Sequence, residues 1–420
     1  MAKLIYDENG RLIFTKEMKS EYTLLMPQML PVHFTMLKKC LEIDGYKVDL
    51  LKSDHQEIVN TGLKYVHNDT CYPALLVIGQ LIDALQSGQY DPHKVGLLIT
   101  QTGGGCRASN YIHLLRKALK KAGYEYVPVV SVNLAGLEKN PGFNLNYSFI
   151  IRMLYVLYFG DLLSLLANQC KPYEINLNQT DQLVEKWESD LVAYLQNNRI
   201  LTQKMYQKKL IEIATSFEKI PRSTQEKIKV GIVGEIYIKY SSFGNNKLEE
   251  FLLSEGAEPI VPGVADFMIY SMNNYLVDIE LYGGSMMKKK LLGLFQGYFE
   301  KLQTVMIDVI LEHTSFRAPE PFKKVKQSAI GYVGHGNKMG EGWLLTAEMV
   351  DLIKSGVNNI ICAQPFGCLP NHISGKGMLR KIKNNYPLSN IVSIDYDPGA
   401  TRVNQENRIK LMIANAKLAK

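Results

Sequence analysis

Short apolar runs punctuate the first third of the chain, at 23–27, 47–51, 61–66, 95–100 and 126–132, and the stretches between them carry apolar residues at helical spacing. Runs of that length read as strands of a parallel sheet, and the helical segments as the crossovers that cover it. Residues 1–146 are therefore predicted to form one doubly wound α/β domain. From 147 to 226 the pattern changes. "QTDQLVEKWESDLVAYLQNN" and "TQKMYQKKLIEIATSFEKI" are helical and partly polar, and Pro221 closes them, so this region reads as a helical connector. "EKIKVGIVGEIYIKY" then opens a second α/β domain over 227–420, with strands expected at 258–262, 328–333, 358–363 and 390–395. No exact internal repeat is visible.

One apolar stretch invites a membrane reading, "SFIIRMLYVLYFGDLLSLLANQ" at 148–169, but Arg152 and Asp161 interrupt it and charges near a bilayer centre are costly. A buried helix is the expectation. "MAKLIYDENG" at the start lacks the apolar core of a signal peptide, so the chain is expected in the cytoplasm, with no membrane partner. The 420 residues, 46% hydrophobic and 21% charged, suffice for two or three domains with buried cores. The net charge of +7 is mildly basic. Its lysine-rich stretches at 117–121, 287–290 and 323–326 lie in or beside predicted helices without interleaved aromatics, which marks solvated faces rather than a nucleic-acid surface.

Candidate chemistry begins at "GLLITQTGGGCRASNYIH", where an apolar run ends in three glycines and a cysteine. The glycines do not make a nucleotide loop. A Walker motif needs Lys and Ser or Thr after its last glycine, whereas Gly105 is followed by Cys106, Arg107 and Ala108. The dinucleotide fingerprint fails because Gly103, Gly104 and Gly105 are contiguous. A phosphate on the helix N-terminus alone stays open.

The six cysteines sort by position. In a reducing compartment they are thiols, either buried or metal-binding. Cys40 and Cys170 sit among apolar residues at helical spacing and read as small core hydrophobes. Cys71, Cys106 and Cys368 each fall in a turn expected after a strand and before a helix, the edge of an open α/β sheet where ligands bind. Two belong to the first half and one to the second, so a shared ligand would occupy a cleft between domains. Scattered loop thiolates suit an iron–sulfur cluster, with one iron left for a non-cysteine ligand. Zinc would need His67, Asp69 or His372 to complete a tetrahedron.

Longer strings extend this. "KYVHNDTCYPALLVIGQ", "LLITQTGGGCRASNYI", "GEIYIKYSSFGNN", "QPFGCLPNHISGKG" and "IDYDPGATRVNQENRIKLM", spread over about 20–412, resemble the 2-hydroxyacyl-CoA dehydratase family, in its branch of acyl-CoA dehydratase activase-related proteins found alone or as the last segment of long activase fusions. The resemblance implies Rossmann-like domains and a 4Fe-4S cluster held by Cys71, Cys106 and Cys368. It also implies an electron supplied by an ATP-dependent activase, which fits the lack of any nucleotide motif here. The substrate is a small molecule that the sequence does not name, an acyl-CoA by analogy, and a dimer is a further expectation. With two of six cysteines assigned to helices, a single cubane is preferred over a double one.

His67, Asp69, Arg107, Asn110, Gln364, Asn371 and His372 flank the three ligands and are the candidates for contacts to cluster or substrate. "GYVGHGNKMGEG" at 331–342 reads as a second glycine-rich turn after a strand, with His335 at its centre. Two other readings remain open. One is a non-enzymatic iron–sulfur carrier or partner subunit, with Cys362 as fourth ligand. The other is a phosphate-binding regulatory protein with structural cysteines.

Overall fold

A computed structural model describes residues 3–418, apart from 9, 68, 102–103, 133–137, 139 and 199. The chain is a mixed α/β protein with two four-stranded parallel sheets flanked by helices. A short hairpin, β1 (Ile5–Tyr6) and β2 (Leu12–Ile13), precedes them. The first sheet holds β3 (Thr23–Pro27), β4 (Lys47–Leu51), β5 (Val95–Thr100) and β6 (Val129–Val132), in the order β4-β3-β5-β6. The second holds β7 (Ile228–Gly234), β8 (Ala257–Ile260), β9 (Asn359–Pro365) and β10 (Asn390–Tyr396), in the order β8-β7-β9-β10.

Counted from its own first strand, each sheet reads second, first, third, fourth. The strand order reverses between the first and third strands, β3 and β5 in one sheet and β7 and β9 in the other, and such a reversal opens a crevice at the carboxyl ends. The inner strands β5 and β9 are buried on both faces, as helix-covered parallel strands are. Leu97 and Leu98 are buried neighbours on β5, as are Ile360 and Ile361 on β9.

The chain divides into two compact units. One comprises Met1–Met153 with Leu195–Arg199 and Pro365–Gly367, and the other Leu154–Tyr194, Ile200–Gln364 and Cys368–Lys420. The 147–226 region is built of helices Tyr147–Cys170, Gln179–Asn197 and Gln203–Glu218.

Two expected strands are absent. Residues 61–66 fall mainly in helix Gln56–Tyr65, which packs backbone to backbone on helix Tyr72–Gln86. A Cβ on Gly62 would come within 2.4 Å of the Leu75 carbonyl oxygen, and one on Gly79 within 2.2 Å of that of Ile58. The contact between two glycines decides the helix, and a short apolar run cannot reveal it. At 328–333, Ser328 ends helix Phe322–Ser328, Gly331 turns the chain at φ +86°, and Ile330 is exposed. The glycine-rich segment at 331–342 therefore follows a helix, and His335 packs edge-on against Trp343, 4.9 Å between ring centres.

Tyr147–Cys170 is, among the described residues, the one helix long and apolar enough to cross a membrane, and 67% of its apolar window is buried in the protein. Its charges have protein partners. Arg152 is buried and pairs with Asp44. Asp161 accepts hydrogen bonds from the backbone N–H groups of Val264 at 3.0 Å and Ala265 at 2.8 Å, neutralising the start of helix Val264–Tyr282.

Candidate functional site

In the first unit the glycine loop leaves β5 beside the β3/β5 reversal. Gly104 and Gly105 are exposed, and a Cβ on Gly104 would meet nothing within 4 Å. The protein's own packing therefore leaves room for a side chain at Gly104; Gly103 lies outside the described residues. Cys106 is half-buried, and its sulfur accepts from the Ala108 N–H at 3.3 Å. It caps the 3-10 turn Arg107–Asn110, which leads into helix Tyr111–Ala122.

Cys71 lies in a turn between two helices and not after a strand, a difference that follows from the helical fate of 61–66. It caps helix Tyr72–Gln86, with Pro73 in the first turn, where its missing N–H costs nothing. The sulfur is 3.0 Å from the hydroxyl oxygen of Tyr111, which opens the helix that Cys106 leads into. On the other side, the Tyr72 N–H donates to the Phe366 carbonyl at 3.1 Å. Gly367 takes a left-handed conformation, φ +76°, and its Cβ would stand 3.3 Å from the Cys71 Cα. Cys368 follows in sequence. It is buried, and its carbonyl accepts the His372 N–H at 3.2 Å.

Cys106 and Cys368 are topological equivalents, each in the segment after the third strand of its own sheet. The other three thiols are core groups. Burial pushes Cys40 up to about 11 and Cys170 and Cys362 up to about 12, as expected of thiols in apolar surroundings. Cys362 points into the core of the second sheet against Ile360, Met349 and Ile382, which disfavours it as a fourth ligand.

The expected polar contacts divide by burial. His67 and Asp69 are exposed and face each other at 3.5 Å, and Arg107, Asn110 and His372 are exposed. Gln364 and Asn371 are fully buried. The Gln364 amide donates to Asp395 at the end of β10, and Asn371 Oδ1 lies 3.7 Å from the Cys362 sulfur. Among the described residues, no three His, Cys, Asp or Glu side chains form a group that could hold a metal ion.

As donors, the three turn thiols nonetheless suit an iron–sulfur cluster. They are the soft ligands that iron prefers, and Cys71 and Cys106 sit where helix N-termini and a phenol hydroxyl offer hydrogen bonds to sulfur.

Sequence reasoning missed two features. Tyr111 carried no signal beyond its place near Cys106. The second is a buried ionic network after β7, around Lys239, whose amine pairs with Glu348 at 2.9 Å. Glu235 caps helix Ile236–Tyr240 through the Ile238 N–H, and Glu341 accepts from the Ile236 N–H at 3.0 Å. Burial, and then the charge of Glu341, hold the Glu235 carboxyl well above the usual carboxylate range. Its place at the carboxyl end of β7 was the available clue.

Asp266 belongs to the same region. Burial raises it to about 7, although the Gln303 amide donates to it at 2.7 Å. The folded chain thus binds this proton more tightly than the unfolded chain. Its penalty is absent below about pH 4, grows as pH rises to about 7 and is constant beyond, with a slope of at most about 1.4 kcal/mol per pH unit. Asp266→Asn is expected to flatten the fall in urea midpoint between pH 5 and pH 8 and to exceed the native chain at pH 8. An unchanged slope would refute this assignment.

No protein-family model and no curated protein matches the chain.

Proposed function

We propose that this chain is an iron–sulfur protein of the 2-hydroxyacyl-CoA dehydratase type, built on two Rossmann-like domains. Cys71, Cys106 and Cys368 hold one 4Fe-4S cluster, an ATP-dependent activase supplies the electron, and a small-molecule substrate, of acyl-CoA class by analogy, receives it. The observation that carries the reading is that Cys71 is touched from two sides by neighbours of the other two cysteines. Tyr111 opens the helix that follows the turn capped by Cys106, and Gly367 immediately precedes Cys368. The equivalent placement of Cys106 and Cys368 supports it further.

A cluster of this kind supplies one-electron chemistry whose potential is set by charge, hydrogen bonding and exposure. The chain's own residues would do the tuning. The Tyr111 hydroxyl and the Ala108 N–H lie on the Cys71 and Cys106 sulfurs, and each donor held there favours the more negative, reduced state. The non-enzymatic reading with Cys362 as fourth ligand is disfavoured by that thiol's place in the core.

Anaerobic purification followed by iron and labile-sulfide assay tests the proposal. About four irons per chain are expected. Cys71→Ser, Cys106→Ser or Cys368→Ser should each lose most of them, while Cys40→Ser and Cys170→Ser keep them. A colourless native chain without iron or sulfide would sink the proposal, as would full iron in all three ligand variants.

A further inference from the structure

We infer that the second unit carries a separate anion-binding cleft, built for the phosphate group of a phosphorylated small molecule. A cavity of about 910 Å³ opens at the amino edge of the second sheet, by Ile228 at the start of β7, Asn359 at the start of β9 and Asn390 at the start of β10. That is the opposite edge from Glu235 and Cys368, and none of the proposed cluster ligands lines it. Small-molecule sites span roughly 300–1,000 Å³, so the cleft has room for far more than a bare phosphate ion.

Its charge is net positive. Arg222, Lys227, Lys229 and Arg317 line it against Glu226 and Glu258, and Glu218 pairs with Arg222 at 3.0 Å. Glu258 is already satisfied. It is 2% exposed, pairs with Arg317 through one oxygen and accepts the Tyr173 hydroxyl at 2.7 Å through the other. Lys229 lies directly opposite Glu258 in the β7/β8 register. Neither Lys227 nor Lys229 has a carboxylate partner among the described residues. Uncompensated ammonium groups around a cavity attract anions, and the two lysines are the charges a phosphate group would meet.

Arg317 is fixed in advance. The buried Gln169 amide takes its backbone at both ends, accepting the Arg317 N–H at 2.9 Å and donating to the Arg317 carbonyl at 3.0 Å. Glu258 holds one side of the guanidinium, while the side chain stays 39% exposed toward the cleft. A guanidinium anchored on one edge and open on the other is the arrangement that binds oxyanions with little ordering cost. Asn358 and Asn415 on the lining add amide groups suited to the polar body of such a ligand.

Calorimetric titration of the full chain with inorganic phosphate, glucose 6-phosphate and AMP tests the inference. All three are expected to bind, the organic esters more tightly, with affinity falling as salt rises. Lys227→Met/Lys229→Met, at positions outside the core, should weaken binding at least about tenfold, the loss of one charge-assisted hydrogen bond or more. Lys288→Met, on the separate helix Met286–His313, should not. Arg317→Gln should act similarly, but it exposes the buried Glu258 to misfolding, so the lysine pair is the deciding variant. No binding of any probe, or undiminished binding in the lysine pair, would overturn the inference. Equal affinity for phosphate and both esters would overturn its organic half. The readout does not involve iron, so it stands or falls apart from the cluster.

Discussion

Lys239→Met is expected to cost about 3–5 kcal/mol of folding stability, the usual penalty for removing one member of a buried ion pair. Lys239 and Glu348 are each 4% exposed at the side chain, and their 2.9 Å contact is the centre of the network after β7. The same ammonium lowers the cost of ionising Glu235, Glu341 and Asp266, all of which burial pushes up. Without it Glu348 must stay charged and unpaired or take a proton, and both are unfavourable at pH 8. At pH 5 the proton is cheap, so the deficit in urea midpoint should shrink as pH falls. Adding Glu348→Leu should restore most of the loss, because replacing a whole buried pair by apolar groups is often close to neutral. A single variant within 1 kcal/mol of the native chain, or a double variant no better than the single, would contradict this account.

Gly367→Val is the second large effect, directed at the site. The residue sits at φ +76°, where a β-branched side chain is strained, and its added Cβ would press on Cys71 at 3.3 Å from the Cα. The expected result is a chain that keeps its helical content yet loses iron as fully as Cys71→Ser, although every cysteine is intact. Gly104→Val is the matched control, since a Cβ there meets open space and the conformation is ordinary. Iron per chain, measured anaerobically beside circular dichroism, separates the two. Full iron in Gly367→Val would show that the approach of this loop to Cys71 is irrelevant to the proposed cluster.

Much of the fold was legible because its signals are local. A strand covered on both faces is largely apolar, so β3, β5 and β9 stand out as short apolar runs close to their observed positions. Burial was legible for two of the cysteines, although Cys71, Cys362 and Cys368 are buried as well. Helical spacing among apolar residues marked Cys40 and Cys170 as core thiols, and both are fully buried. The failures share one cause. Residues 61–66 and 328–333 are short apolar runs as well, but the first is a helix because Gly62 meets the Leu75 backbone, and the second a turn because Gly331 adopts a left-handed φ. Each outcome hangs on a contact or a dihedral that the polar and apolar pattern does not encode.

By itself the sequence determined the α/β class, most strand positions and which residue types stand at the ends of strands, since hydrophobic periodicity and turn chemistry act within a few residues. Only the tertiary structure decided what those ends face. It gave both sheets the same second-first-third-fourth order, although no sequence repeat betrays it, because strand order is a matter of crossovers rather than composition. It turned Arg152 and Asp161, which look like interruptions of an apolar helix, into a buried ion pair and a helix cap. It brought Tyr111 and Gly367 against Cys71 and gathered Glu235, Glu341 and Glu348 around Lys239. In each case residues far apart in the chain meet through packing and burial, and long-range packing leaves no period in a sequence to be read.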